Sequence, residues 1–263
     1  MLPLLYSEER KNKICIYVQN NHRASVHELC NEFDVSESTI RRDLKELEDE
    51  KLLRRTHGGA ISLESVNFEP TVTEKADRFL EEKKAISKQA ATLIREGDTI
   101  LIDSGTTTLE LIDEVKHFTS LTVVTNSVSH ADLLKESPHI EVIVPGGRLR
   151  HETQALVGPL TDRALGLLNF DKAFIGTNGI DLNQGLTTPN LIESATKHKM
   201  IQQAKQAILL VDHSKFNKIS FAKFGEIKDL NYCITDKVPE SYKQAMEQLD
   251  VTLQLAKQQE DAE

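Results

Sequence analysis

The chain has 263 residues, 39% of them hydrophobic, with a formal net charge of −9 and a pI near 5.5. This length is enough for two domains with cores of their own. An acidic chain repels nucleic acid as a whole, so any DNA contact has to be local. No run of 18 apolar residues and no N-terminal signal is present, so we expect a cytoplasmic protein with no membrane partner.

The cysteines and histidines do not form a metal-binding pattern. Cys15, Cys30 and Cys233 are far apart, no CxxC is present and the nine His are scattered. Cys15 and Cys30 fall in predicted helices and Cys233 in an apolar run, which favours buried free thiols. We therefore predict no metal site and no cofactor.

Helical periodicity predicts three short helices near the N terminus. The first spans residues 7–20, and in the second apolar residues recur at i, i+3, i+4 and i+7 between Val26 and Phe33. Ser36 then suits the N-cap of a third helix. That third helix carries an apolar stripe at Ile40, Leu44 and Leu47.

The third helix also has a polar, basic face, and a basic segment with a Gly-Gly turn follows it at residues 51–59. This order is typical of a helix-turn-helix with a β-hairpin wing. A helix fits the major groove, where Arg discriminates guanine by about 1–3 kcal/mol, while hydroxyls and Lys reach phosphates. The alternative is a helical hairpin with a solvated charged face. The candidate DNA-binding residues are Ser36, Ser38, Thr39, Arg41, Arg42, Lys45, Arg54, Arg55, His57 and Gly58.

The hydrophobic pattern changes after a polar connector at residues 62–70 and a predicted long helix at 71–94. Short apolar runs alternate with amphipathic helices, which indicates an α/β domain with a mostly parallel sheet. The predicted strands are 99–102, 121–124, 140–144, 172–175, 207–211, 232–234 and 251–255. The predicted domains are 6–61 and 73–257, joined by a linker at 62–72.

Polar residues follow five of these strands, at the sheet edge where ligands bind in parallel sheets. Glycine and hydroxyl residues open the helix after the first strand, as an anion site requires. No Gly-Lys-Ser/Thr follows, so this is not a nucleotide-binding P-loop. The candidate ligand-binding residues are Asp103, Ser104, Gly105, Thr106, Thr107, Thr108, Asn126, Ser127, Gly146, Gly147, Asn178, Gly179, Asp181, Asp212 and Lys215. Together they suit a polyol that carries a phosphate.

Motifs in both halves resemble the DeoR type of bacterial transcriptional regulators. In the first half they are HELC, STIRRDL and RRTHGGA; in the second they are DSGTT, VTNS, PGG, DKAFIGTNGID, GLTTP and VDHSKF. The resemblance implies a winged helix-turn-helix followed by a Rossmann-like effector domain similar to ribose-5-phosphate isomerase, an α+β two-domain fold. It further implies a repressor that binds double-stranded operator DNA as a dimer or tetramer and responds to a phosphorylated sugar. The subgroup that it resembles most is that of fructose-operon repressors, with fructose 1-phosphate as the implied ligand.

Two other functions stay open. A sugar-phosphate isomerase needs a carboxylate base, but in the run similar to the isomerase's acidic motif Asn178 and Leu182 stand where the isomerase has acids, and only Asp181 is retained. We therefore predict no catalytic residue and no enzyme activity. The second alternative, a DNA-binding protein without a ligand, does not account for five polar strand ends.

Overall fold

The computed structural model describes residues 7–21, 23–62, 66 and 69–257. It divides into two compact units, Met1–Phe68 and Glu69–Glu263. Residues 63–65, 67 and 68 of the predicted linker lie outside the described residues. Among the residues that are described, no helix is long and apolar enough to cross a membrane.

The first unit contains three helices and a small antiparallel sheet, as predicted for a winged helix-turn-helix. Its elements are α1 (Ser7–Asn21), β1 (Arg23–Ser25), α2 (Val26–Phe33), α3 (Glu37–Asp49), β2 (Arg54–Thr56) and β3 (Gly59–Ile61). The strand order is β1-β3-β2, so the wing hairpin pairs with a strand that precedes α2. Periodicity could not predict β1, because it has only three residues.

Local signals fix the ends of α2 and α3. Ser25 and Glu28 form a capping box at the start of α2, and Asp34 ends that helix in the left-handed conformation. Ser36 accepts from the backbone N–H of Thr39, which confirms it as the N-cap of α3. Gly59 is required by the sheet, because a Cβ there would lie 1.9 Å from the carbonyl oxygen of Ala24.

A buried ion pair joins α1 to α3. The Arg10 guanidinium donates to both carboxylate oxygens of Asp43, at 2.5 and 3.1 Å, and Asp43 is fully buried. The hydrogen bond to Asp43 raises the pKa of Arg10. Sequence patterns did not single out this pair, because two charges 33 residues apart carry no sign of their contact.

The second unit is built on a seven-stranded sheet in which every pair is parallel. Its strands are β4 (Thr99–Ile102), β5 (Leu121–Thr125), β6 (Ile140–Ile143), β9 (Phe170–Ile175), β12 (Ala204–Leu210), β14 (Tyr232–Thr235) and β15 (Thr252–Leu255). The order is β15-β14-β12-β9-β4-β5-β6. All seven predicted strands are confirmed, and the direction of chain progression reverses between β4 and β9.

Helices and two small antiparallel sheets complete this unit, with apolar cores on the two faces of the main sheet. The helices are α4 (Val72–Ala76), α5 (Leu80–Ala91), α6 (Thr106–Val115), α7 (Val128–Leu134), α8 (Pro159–Leu165), α9 (Leu191–Gln202) and α10 (Glu240–Gln248). One small sheet pairs β7 (Arg148–Leu149) with β8 (Leu156–Val157), and the other contains β10 (Gly179–Asp181), β11 (Gly185–Thr188) and β13 (Ala222–Gly225). Neither small sheet was predicted.

The prediction of one long helix at residues 71–94 is wrong. The chain breaks between α4 and α5, where Phe79 adopts a left-handed φ of 56°. The buried Lys83 ammonium donates to the carbonyl oxygens of Lys75 and Ala76, and so satisfies the end of α4. The Phe79 ring packs edge-on against His213 at 4.7 Å between centroids. These contacts compensate for the break, and an apolar stripe cannot predict them.

Candidate functional site

The first candidate surface consists of α3, its N-cap and the β2–β3 hairpin. Most of the ten candidate DNA-binding side chains on it are exposed; Thr39 and Arg54 are half-buried. A cleft between α3 and the hairpin is lined in part by Arg41, Arg55 and His57. A convex helix beside a basic hairpin is the arrangement with which winged helix-turn-helix proteins contact DNA.

Two glutamates on this surface were not among the candidates. Glu37 pairs with Arg41 across one helical turn, at 2.5 Å. Glu48 accepts from both the backbone N–H and the guanidinium of Arg55, at 2.8 and 3.1 Å. Glu48 therefore attaches the hairpin to α3 and sets the position of Arg55.

The second candidate site is a cleft at the carboxyl edge of the main sheet, within the second unit. Its walls come from the segments after β4, β9 and β12 and from the α4–α5 region. The empty space between these walls, counted together with the solvent at the open mouth, is about 770 Å³. Its position next to the reversal point between β4 and β9 is where open α/β sheets bind ligands.

The structure brings seven of the fifteen candidate ligand-binding residues together around this cleft. Ser104, Gly105, Thr106 and Thr107 lie at the N-terminal end of α6. Asn178 follows β9, and Asp212 and Lys215 follow β12. Three strand ends therefore meet in the cleft, because β12, β9 and β4 are neighbouring parallel strands of the sheet.

The other eight candidates do not line the cleft. Five are turn or helix-end residues with structural contacts of their own. Thr108 donates to the carbonyls of residues 103 and 105, and Ser127 caps α7. Gly146 accepts a hydrogen bond from Thr161, Gly147 packs beside Thr161, and Asp181 accepts from the N–H groups of residues 183 and 184. Gly179 lies in β10, where a Cβ would lie 2.3 Å from the Lys218 carbonyl. Asp103 and Asn126 are buried below the cleft.

Four cations that the sequence did not single out also line the cleft. Lys75 lies in α4, Arg78 between α4 and α5, Lys83 in α5 and Lys197 in α9. Residues 75–84 contain four basic and three acidic side chains, so their charge gave no signal of a cationic site. Among the described residues, Lys75, Arg78 and Lys215 have no ion-pair partner.

Burial is the main cause of the lowered pKa values of two lysines in the cleft. Burial lowers the pKa of Lys75; the carboxylates of Glu193 and Glu69 oppose this, and the neighbouring Lys215 and Lys197 add to it. Burial lowers the pKa of Lys83 to about 8, with Lys215 and Lys75 adding to this and Asp212 opposing it. A bound anion would relieve both effects, because it favours the charged form of each amine.

Buried ion pairs of Asp103 and of Arg150 stabilise the segments that form the cleft. Lys197 pairs with Asp103, and the same Asp103 oxygen accepts from the backbone N–H of Gly176 at 3.1 Å. Arg150 pairs with Glu69 at 2.5 Å and with Glu193. Because Glu69 and Glu193 both bind Arg150, the segment that enters α4 is attached to α9.

The carboxylates that line the cleft are already engaged. Glu193 binds Arg150 and accepts from Thr153 and Thr188, each at 3.3 Å. Asp212 accepts from the backbone N–H and the hydroxyl of Ser214. Within the described ranges, no group of three His, Cys, Asp or Glu side chains is placed to hold a metal ion.

The first unit thus has the fold of winged helix-turn-helix DNA-binding proteins, and the second has an α/β fold with a cationic cleft. Residues 10–66 match the model of the DeoR-like helix-turn-helix domain, and residues 78–237 match that of the DeoR C-terminal sensor domain. The chain belongs to the DeoR family of transcriptional regulators.

Relatives of similar length support this assignment. The chain is 41% identical to the uncharacterized HTH-type transcriptional regulator FruR of Bacillus subtilis (strain 168), over 88% of this chain and 92% of the relative. It is 40% identical to the HTH-type transcriptional regulator GlpR of Haloferax volcanii, over 87% and 89%. It is 37% identical to a lactose phosphotransferase system repressor of Staphylococcus epidermidis, over 87% and 91%.

Among solved structures, the second unit is similar to ribose 5-phosphate isomerase A from Methanocaldococcus jannaschii. The TM-score is 0.39 at 18% sequence identity, over 52% of this chain and 55% of the isomerase.

Proposed function

We propose that this chain is a sequence-specific repressor of a sugar-metabolism operon, and that a phosphorylated sugar bound in the cleft alters its affinity for operator DNA. Fructose 1-phosphate is the first ligand to test. The observation that supports the effector most directly is the set of three cations without ion-pair partners, Lys75, Arg78 and Lys215, which line the same cleft as the N terminus of α6.

The cleft provides the hydrogen-bond donors and the positive charge that bind a phosphate group. The first N–H groups of α6 have no partner within the helix, and the helix dipole favours an anion there. The hydroxyls of Ser104, Thr106 and Thr107 add donors, while Lys75 and Lys215 supply charge. Asn178 is left for hydroxyl groups at the other end of a sugar. The arrangement favours a small dianion with hydroxyls over an apolar ligand.

The proposed switch uses the α4 segment, which directly follows the linker. Residues 69–76 are held by the Glu69–Arg150 pair, by the Val72 N–H bonded to the Glu152 carbonyl at 2.9 Å, and by Lys83. A phosphate that binds Lys75, Arg78 or Lys83 changes this set of contacts and so shifts the conformational equilibrium of the linker at 62–72. The coupling free energy can only equal the ligand's difference in affinity for the two states, typically about 1–3 kcal/mol.

DNA binding by this proposal needs two or more copies of the chain, a dimer or a tetramer. Helix-turn-helix dimers place two recognition helices in successive major grooves, about one helical turn apart. Ligand binding would weaken the operator complex by changing the spacing of the paired α3 helices, within the cytoplasm where we expect the protein to act.

Replacing Arg41 by Ala is expected to weaken operator binding about tenfold, since a bidentate Arg–guanine contact contributes about 1–3 kcal/mol. Phosphate binding in the cleft should be unchanged. Fluorescence anisotropy on a labelled operator measures the first effect, and calorimetric titration with the sugar phosphate the second.

The matched control is Lys13→Ala, which removes an exposed charge from α1 in the same unit. It should change operator affinity only slightly. If Arg41→Ala binds the operator as the unaltered chain does, α3 is not the recognition helix; if it also loses phosphate binding, the two functions are not separate.

The affinity for a phosphorylated sugar is expected to fall several-fold as the pH rises through about 8. Burial lowers the pKa of Lys83 to that value, so the cleft loses a positive charge in this range. The phosphate is already a dianion there, since its second pKa is about 6. Calorimetry at several pH values, in buffers of different ionisation enthalpy, should also show proton uptake on binding near pH 8.

The Lys83→Arg variant is the control for this pH dependence, because arginine stays charged throughout the range. Its affinity should fall less steeply between pH 7.5 and 9.5 than that of the unaltered chain. An equally steep fall in the variant would assign the titration to another group.

A sugar-phosphate isomerase remains the second candidate, favoured by the presence of Glu193 and Asp212 in the cleft. Arg150 engages Glu193, and Ser214 engages Asp212, so neither is placed as a free base. Incubation with ribose 5-phosphate and with fructose phosphates, followed by chromatography, tests for turnover. Isomer formation that Glu193→Gln abolishes would establish the enzyme.

A further inference from the structure

Within residues 69–257, three buried polar side-chain atoms have no hydrogen-bond partner: Oδ1 of Asp103, Oδ1 of Asn126 and Nδ1 of His130. All three residues are at most 2% exposed. A buried polar atom without a partner costs about 1–3 kcal/mol, and such atoms are rare in native proteins. Three of them in one part of the fold point to a bound group.

Two of these three residues follow neighbouring strands of the sheet. Ile102 of β4 pairs with Thr125 of β5, so Asp103 and Asn126 leave the sheet as neighbours. On the other side of β4, the N–H of Gly176 donates to Oδ2 of Asp103 at 3.1 Å. β4 lies between β9 and β5, so Asp103 has the segment after β9 on one side and Asn126 on the other. Oδ1 is the carboxylate oxygen of Asp103 that binds neither Gly176 nor Lys197.

The third atom belongs to the first turn of α7, the helix that begins two residues after Asn126. The backbone N–H of His130 donates to the Ser127 hydroxyl at 3.3 Å, which fixes this turn. The Asp103 charge acts on the imidazole, since it raises the pKa of His130 against the larger, opposite effect of burial. His130 is therefore within electrostatic reach of Asp103.

The hydrogen-bonding capacity of the three groups defines the occupant. Asn126 donates its amide N–H to the Leu156 carbonyl at 3.1 Å, which leaves Oδ1 as an acceptor. Asp103 pairs with Lys197 and is a second acceptor. Burial lowers the pKa of His130 to about 4, so its ring is neutral and Nδ1 can carry the hydrogen. Two acceptors and one donor match a group with two hydrogens and a lone pair.

We propose that one water molecule is bound between Asp103, Asn126 and His130, and that it holds Asp103 in the orientation that pairs with Lys197 at the cleft. A buried water typically makes about three hydrogen bonds of this kind. Asn126 and His130 are then positioning residues for Lys197, although neither contacts the cleft. The bound water does not depend on the proposed function; its effect on anion affinity does.

A crystal structure of the full chain at about 1.8 Å resolution tests the site. We expect a density peak at about 2.7–3.2 Å from all three atoms, the range of ordinary hydrogen bonds. Direct contact between the side chains would overturn the proposal. A peak at about 2.3–2.6 Å from the two oxygens would also overturn it, in favour of a metal ion.

The positioning role is tested by His130→Leu, which removes the donor and keeps an apolar side chain of similar size. The affinity for inorganic phosphate should fall about fivefold, the effect of one hydrogen bond, and operator binding without ligand should not change. The control is His117→Leu, an exposed histidine in the same unit. Unchanged phosphate affinity in His130→Leu would overturn the positioning role, provided that the unaltered chain binds phosphate. If the unaltered chain binds neither inorganic phosphate nor a sugar phosphate, the proposed function fails and the crystal structure alone decides the water.

Discussion

Replacing Lys215 by Ala is expected to lower the affinity for a phosphorylated sugar by about 10- to 100-fold, because a charge-assisted hydrogen bond contributes about 1.5–3 kcal/mol. Lys215 follows β12 and lines the cleft without an ion-pair partner among the described residues, so its replacement breaks no ion pair. Operator binding without ligand should be unchanged, and the response to ligand should be lost at ordinary ligand concentrations. Calorimetry and operator titration measure the two effects.

Lys218→Ala is the matched control, since Lys218 is exposed, lies three residues further on and does not line the cleft. The same loss of charge there should leave ligand affinity nearly unchanged. Equal effects in the two variants would reduce the role of Lys215 to general electrostatics, and no effect in either would remove Lys215 from the binding site.

Replacing Asp43 by Ala is expected to destabilise the first unit by about 3–5 kcal/mol, because it breaks a buried ion pair and removes both hydrogen bonds that Asp43 accepts from the Arg10 guanidinium. Asp43 is fully buried and accepts both hydrogen bonds of the pair. This loss is a large fraction of the stability of a small domain, so operator binding should fail at moderate temperature. Phosphate binding by the second unit should persist.

Two variants distinguish a buried-charge effect from a general effect of substitution on α3. Asp49→Ala removes an exposed carboxylate from the same helix and should shift the unfolding midpoint little. The double variant Arg10→Met, Asp43→Leu removes both charges and should recover most of the stability. A double variant as unstable as Asp43→Ala would show that the ion pair is not the cause.

Elements with periodic patterns could be predicted from the sequence. The stripes of α2 and α3 and the apolar runs of the seven parallel strands depend on burial, which periodicity records. The break at Phe79 could not be predicted in this way, because it depends on Lys83 reaching back to the carbonyls of α4. The β1 strand and the two small sheets are too short to show a period.

The sequence could predict the part of the candidate site that lies at the carboxyl ends of the strands. Ser104–Thr107, Asn178, Asp212 and Lys215 follow strands that lie together, so they meet. Gly146 and Gly147 also follow a strand, but this strand, β6, is the outermost strand of the sheet and lies away from the cleft. Lys75 and Arg78 come from a segment that precedes the sheet. Because they do not follow a strand, the positions of the strand ends could not predict them.

The most direct test of this account is a titration of the full chain on its own upstream DNA, at fixed salt, with and without a panel of sugar phosphates. Salt has to be constant because phosphate contacts make DNA affinity steeply dependent on it. The account predicts that one phosphorylated sugar weakens the complex about 5- to 150-fold, and that its unphosphorylated form does not. Tight DNA binding that no sugar phosphate changes would contradict the account and leave the cleft without its proposed role.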